Sequence, residues 1–265
     1  MAIRAFAPGS VTGLFAPAPA EGGASRGASF AIRDGVVVEL EPAAERVVTV
    51  DGEPAPFDPV ERVLSELGVD AAVDVMPDVP LGHGFGASGA ATLATAIAAN
   101  DAFDLGQARP ELVDAAHRAE MAAGTGQGDV FIQDRGGLLW TVGDGVRRTV
   151  PTEPVEYATA GGIATGSMLA DDAFMEAARR VGSRGLDALK SEPTLQALAE
   201  RSSEYVDATD VATPFVEREI DRVEEAGGTA GMALFGETVF AVGVDGVLPN
   251  RTRVAREGAK LLAVD

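Results

Sequence analysis

The chain has 265 residues, 46% of them apolar, enough for one large core or two small packed ones, and 41 acidic against 21 basic residues give it a net charge of −20. No apolar run reaches the roughly 18 residues of a membrane span, and residues 1–6 lack the basic start and apolar core of a secretory leader. There is no cysteine and only two histidines, His83 and His117, which excludes disulfides and zinc sites of thiolate or His-rich type.

The acids are dispersed rather than gathered in a tail, and only Lys190 and Lys260 are lysines. This pattern reads as a cytoplasmic protein suited to high salt, where repulsion is screened over a few ångströms, as in a salt-loving archaeon. It leaves no basic cluster for nucleic acid.

In chain order, residues 4–12 start as a strand that breaks at Pro8-Gly9, and a Gly-rich loop follows at 21–27. Residues 29–32 and 36–40 flank Asp34-Gly35 as a hairpin, because Asp-Gly between β-branched runs is a turn signal. A strand at 47–50 and an amphipathic helix at 59–67, opened by Pro59 and closed by Gly68, come next. A strand at 71–75 leads through Met76–Pro80 into Gly82-His83-Gly84-Phe85-Gly86-Ala87-Ser88-Gly89, and a long Ala-rich helix runs on from Ser88. Residues 110–123 form a second helix, stopped by Gly124. Past a second Gly-rich loop at 124–129, residues 130–132 and 137–142 read as strands. The stretch from Pro151 to Pro154 is a joint between an N-terminal domain, 1–150, and a C-terminal one, 151–265. The second half gives a strand at 155–165, helices at 171–181, 194–206 and 214–226, and a hairpin at 231–244. A short helix at 250–258 and a strand at 260–264 close it. Strands and helices mix without a βαβ repeat, which makes the fold α+β in two layers.

Alternate glycines let a loop turn its N–H groups to one side, and the helix start that follows favours phosphate. Gly84-x-Gly86-x-x-Gly89 matches the dinucleotide fingerprint formally, yet the strand ends five residues too early. No Gly-Lys-Ser/Thr exists for a P-loop. The plain alternative is a structural turn with Ser88 as an N-cap. Phosphoryl transfer also needs Mg²⁺ and a carboxylate for the acceptor hydroxyl. Ser88 offers a hydroxyl, while Glu120 and Asp129 are spaced to converge, one for the metal and one for the acceptor; a solvated helix face for Glu120 and a turn role for Asp129 are the alternatives.

Pro80-x-x-x-Gly84-Phe85-Gly86-Ala87-Ser88-Gly89-Ala90 resembles the second motif of the GHMP kinases, Pro-x-x-x-Gly-Leu-Gly-Ser-Ser-Ala-Ala. Phe85 stands for Leu and Ala87 for the first Ser. The resemblance implies that Gly82, His83, Gly84, Phe85, Gly86, Ala87, Ser88 and Gly89 wrap the phosphates of ATP, with Ser88 and Glu120 holding Mg²⁺. Gly128-Asp129 is similar to the segment that bears the family's catalytic Asp. Ala7-Pro8-Gly9 resembles the first motif, but Ser10 replaces its usual Lys, so that lysine's role does not carry over. Gly227 to Gly231 matches the third motif only loosely.

Within the superfamily the chain is similar to the archaeal pantoate kinases. The likeness rests on Arg4 to Phe15, Ser25-Arg26-Gly27-Ala28, the glycine loop and Gly231 to Ala241. It implies a GHMP kinase-like two-layer, two-domain fold with ATP in the cleft between the halves. It also implies phosphorylation of the 4-hydroxyl of (R)-pantoate on the archaeal route to coenzyme A, with Asp129 as the catalytic residue. Arg26 is the expected partner of the pantoate carboxylate, with Arg4 behind it and a solvated loop charge as the alternative for Arg26, and Ser10 and Thr12 line the acceptor pocket. His83 is either a phosphate or substrate contact or an idle loop residue; His117 reads as a packed or surface residue. A homodimer rests on the resemblance alone. A GHMP kinase for shikimate, homoserine or a mevalonate derivative, a dinucleotide oxidoreductase and a non-catalytic nucleotide-binding protein remain open alternatives.

Overall fold

A computed structural model describes residues 2–18, 24–126, 128–143, 145–163 and 171–263. Parts of the loop expected at 21–27 and of the strand expected at 155–165, together with Gln127 and Val264, lie outside these residues.

The first sheet is built on two long strands, β1 (Ile3–Ala16) and β2 (Arg26–Pro42), which pair antiparallel over almost their whole length. β3 (Val47–Val50), β4 (Glu53–Pro54) and β5 (Ala71–Pro77) extend one side, and β5 and β3 are its parallel pair. β6 (Leu138–Val142) pairs with the first half of β2 and with β7 (Gly145–Thr149), while β12 (Lys260–Leu261) pairs with β1 at Ala5 and Phe6. The second sheet has the order β11-β8-β10-β9, from β8 (Pro154–Gly162), β9 (Thr229–Met232), β10 (Gly236–Val242) and β11 (Asn250–Arg253).

α2 (Ala87–Ala102) lies across β1 and β2, with α1 (Asp58–Leu67) and α3 (Arg109–Ala123) packed on it. Every residue of α2 from Gly89 to Ala99 is buried. A helix that is apolar all round belongs in a core, and its alanines let it approach the sheet and both neighbours closely. α5 (Asp172–Leu189), α6 (Leu195–Thr209) and α7 (Pro214–Glu225) form the other helical layer: α5 packs on β1 and α6, and α7 on β9 and β10. The two-layer α+β reading holds.

Four local expectations are corrected. Asp34-Gly35 is not a hairpin turn: residues on both sides pair with the same strand, β1, and Arg33 and Asp34 bulge out at the register shift between Pro8 and Gly9. Gly35 lies so close to β1 that a Cβ there would sit 2.2 Å from the Ala7 carbonyl oxygen. β1 therefore runs unbroken through Pro8-Gly9, with only a shift of register there. Residues 130–132 are not a strand but the middle of α4 (Asp129–Arg135), which opens after Gly128, φ +132°, and ends at Gly136. Its apolar residues serve two sides: Val130 enters the core, and Phe131 and Ile132 line a cavity. The expected helix at 250–258 begins instead as β11, paired with β8.

Candidate functional site

The glycine loop falls between β5 and α2. Gly86 is the N-cap of α2 at φ +60°, ψ 24°, a conformation open mainly to glycine. A Cβ there would meet Ser10 Oγ at 2.3 Å and Gln133 Nε2 at 2.8 Å, so the loop is pressed onto both. Ala87 is the first helical residue, which leaves the N–H groups of Ala87, Ser88 and Gly89 without intrahelical partners, at the positive end of the dipole. Ser88 is therefore not the N-cap. Phe85 is 1% exposed, edge-on to Tyr157 with ring centroids 5.1 Å apart, so only its backbone faces the loop.

His83 points away, at the second sheet: its Nδ1 is 2.8 Å from Thr159 Oγ1. Thr238 Oγ1 donates to the His83 carbonyl at 2.7 Å, and Gly236 is packed so tightly that a Cβ would lie 2.1 Å from the same oxygen. The loop thus bridges the two sheets.

Ser88 instead turns toward α3, where its Oγ donates to Glu120 Oε1 at 2.8 Å. Thr92 Oγ1 donates to the same oxygen at 2.6 Å, and Thr125 Oγ1 to Oε2 at 2.8 Å. Glu120 is 2% exposed. Burial pushes its carboxyl above the ordinary glutamate range, the three hydroxyls oppose this, and the charge of Asp129 adds to it. Among the described residues no Lys, Arg or His forms an ion pair with Glu120. A buried carboxylate ringed by oxygen donors and short of a cation fits Mg²⁺. Among the described residues no cluster of three or more His, Cys, Asp or Glu surrounds it. One carboxylate and one hydroxyl, with phosphates and water to complete the shell, is how this ion is held.

Asp129 begins α4, beside the glycine loop: a Cβ on Gly86 would be 3.2 Å from its carboxyl carbon, and one on Gly89 3.4 Å from its Cβ. Ser10 Oγ donates to Asp129 Oδ1 at 2.9 Å, and Ser10 N–H donates to the Phe85 carbonyl at 2.8 Å. Burial raises the Asp129 carboxyl above its ordinary range, against the bonds from Ser10 and from its own backbone N–H. Ser10 therefore sets a neutral donor against the acid.

Asp129 also forms part of the wall of a cavity of about 470 Å³. Thr12 and Arg26 line it, as do Arg135, His117 and Trp140, and Phe235 from the β9–β10 connection. Thr12 Oγ1 is 2.8 Å from Ser29 Oγ, and Arg26 Nη2 donates to Ser183 Oγ of α5 at 2.7 Å. His117 stacks at a tilt on Phe131, ring centroids 4.9 Å apart, and burial lowers its imidazole pKa, opposed by Asp114 and reinforced by Arg118.

The structure brings Ser88 to Glu120 and Ser10 to Asp129, and opens the Asp129 pocket toward Thr12 and Arg26. It does not bring Arg4, which is paired with Glu39 across the β1–β2 surface, into the pocket. Thr92, Thr125, Gln133, His117 and Arg135 escaped the sequence reading as site residues. Thr92 lies one turn after Ser88 and Gln133 one turn after Asp129, a spacing that places each on the same helix face as its partner. Gly227 of the loose third motif ends α7 at φ +81°, and Gly228 fits tightly against Val244 and Val223, a packing role.

The family model described as "GHMP kinases N terminal domain" matches residues 58–137. A pantoate kinase of Methanospirillum hungatei is 27% identical over 259 residues, covering 91% of this chain and 87% of the relative. One from Methanocaldococcus jannaschii is 27% identical, covering 89% and 91%. Among solved structures, one described as a phosphotransferase related to the CoA biosynthesis pathway superposes with a TM-score of 0.85 at 23% identity, covering 98% of each chain.

Proposed function

We propose that the chain is a GHMP kinase that transfers the γ-phosphoryl group of ATP to the 4-hydroxyl of (R)-pantoate, giving 4-phosphopantoate and ADP in coenzyme A synthesis. The observation that carries this reading is the position of Asp129, which touches the glycine loop on one side and a cation-bearing cavity on the other.

In this reading the first-turn N–H groups of α2, with the backbone of Gly82 to Gly89, bind the ATP phosphates. Ser88 and Glu120 hold Mg²⁺, which when bound neutralises phosphate charge. Arg26 takes the carboxylate of the acceptor, and Thr12 shapes the wall beside it; Ser10, expected in that wall, is not among its lining residues and is 1% exposed behind it, reaching the cavity only through Asp129. Asp129 accepts the proton of the primary hydroxyl as that oxygen forms its bond to the γ-phosphorus and the bond from phosphorus to the β,γ-bridging oxygen breaks. Burial suits Asp129 to this task, since a raised pKa makes it a stronger base than a surface aspartate. Its Ser10 bond fixes the carboxylate rotamer.

The test is purified protein with Mg·ATP and a panel of pantoate, shikimate, homoserine and mevalonate, read as acceptor-dependent ADP release and by phosphorus NMR of the product. ADP release with pantoate alone is expected. Release with another alcohol reassigns the acceptor, and none with any of the four leaves a nucleotide-binding protein.

A further inference from the structure

Gln133 occupies a place that no motif marks. It is 0% exposed, one turn beyond Asp129 on α4. Its Nε2 donates to the Gly86 carbonyl at 2.6 Å and, more weakly, to Ser10 Oγ at 3.4 Å. The Gly86 carbonyl also accepts the Ala90 N–H at 3.0 Å, the first turn of α2. Gln133 Oε1 has no hydrogen-bond partner among the described residues and lies against Gly89, where a Cβ would be 2.9 Å away. The opposite amide orientation would bring Oε1 against the Gly86 carbonyl, so the donor geometry fixes the assignment. The far side of the residue is held as well: its backbone carbonyl accepts the Ala259 N–H at 2.8 Å.

These contacts form one connected set. Ser10 can receive a bond from Gln133 only while its single hydroxyl proton goes elsewhere, and the partner in reach is Asp129 Oδ1 at 2.9 Å. The same amide holds the carbonyl that starts the phosphate-binding helix. An apolar side chain of equal size would fill the space and do neither.

We propose that Gln133 is a positioning residue that fixes the phosphate loop and the Ser10 hydroxyl relative to Asp129, so that donor and acceptor sites keep one geometry. This rests on the kinase reading above for its catalytic consequence, but not for its structural one. A 1 Å error in such an arrangement is worth about a hundredfold in rate.

The experiment uses the full chain with Gln133→Met and Gln133→Glu. Amide hydrogen exchange is measured without nucleotide or acceptor, followed by steady-state kinetics with Mg·ATP and pantoate. Exchange of the Ser10 and Ala90 N–H groups rises by about tenfold or more, while amides of β8 and β10 keep wild-type rates. With pantoate, kcat falls by about ten- to a hundredfold and the pantoate KM stays within about twofold. Uniform acceleration of all amides, no acceleration at Ser10 and Ala90, or failure of both variants to fold overturns the proposal and leaves Gln133 as core packing. Wild-type protein inactive on pantoate overturns the acceptor assignment alone, because the exchange result is read without it.

Discussion

Ser10 Oγ donates to Asp129 Oδ1 at 2.9 Å although 119 positions separate the two in sequence. The bond places a neutral donor beside an acid that burial has already made more basic. In the proposed reaction Asp129→Asn removes the base, and it is expected to lower kcat by about 10²- to 10⁴-fold while ATP still binds. Ser10→Ala is expected to cost less and to act through pH. The hydroxyl stabilises the charged carboxylate, so its loss raises the Asp129 pKa further. The base works unprotonated, so the acid limb of the kcat profile moves to higher pH. Profiles of wild type and Ser10→Ala, recorded side by side, check the direction; an unmoved limb removes Ser10 from the proton transfer.

Glu120 makes a prediction about stability as well as activity. Its folded-state pKa is raised by burial, so the protonated form favours folding and that contribution is lost as pH rises through the folded value. In metal-free buffer at pH 8, Glu120→Gln is expected to melt at or above the wild-type temperature. With Mg·ATP the order reverses: wild type gains about 2.7 kcal/mol at a ligand concentration a hundred times Kd, and the variant gains none. Its kcat falls by about a hundredfold or more. Calorimetry with and without Mg·ATP measures both, and equal ligand stabilisation of the two proteins counts against a metal role for Glu120.

Glu156, on β8, behaves in the opposite sense. It is 2% exposed, and its carboxylate accepts the N–H groups of Gly246, Val247 and Leu248, the last two at 2.9 Å. Burial pushes its pKa up, but these backbone bonds, led by Leu248, and the Arg251 cation outweigh it and hold the carboxyl below the ordinary range. A depressed folded pKa gives stability that is present above the unfolded value and lost as pH falls through the folded one. Glu156→Gln is expected to lose about 1–3 kcal/mol at pH 7, since an amide cannot accept all three bonds. For a chain of this size that is a drop of about 2–4 °C per kcal/mol in Tm. The gap between the two proteins narrows in acid, and a gap that stays constant with pH would show that the charge is not what matters.

What the sequence made legible follows the physics of each signal. α1 and α3 were readable from Pro at the start and Gly at the end, because caps are local. The glycine loop was readable because its φ values at Gly82, Gly84 and Gly86 need glycine. Val130-Phe131-Ile132 was not, since three apolar residues are too few for a period, and only tertiary contact decides that they split between core and cavity. Asp34-Gly35 misled for a related reason. The dipeptide favours a turn locally, but pairing of both flanks with β1 is worth more, and the two spare residues were pushed into a bulge. Within the site, Glu120 and Asp129 stood out as acids near glycines. Gln133 and Thr125 matter only through partners supplied by the fold, and no local pattern announces that.

The short strand β12 has a temporal meaning. Lys260 and Leu261 pair with Phe6 and Ala5, and Ala259 reaches the Gln133 carbonyl, so residues made after both sheets brace a strand made before them. Until they emerge, β1 has one edge uncovered and α4 lacks this support, while both sheets' other strands are already translated. A pause in synthesis ahead of residue 259 prolongs the interval in which that edge can pair with a neighbouring chain.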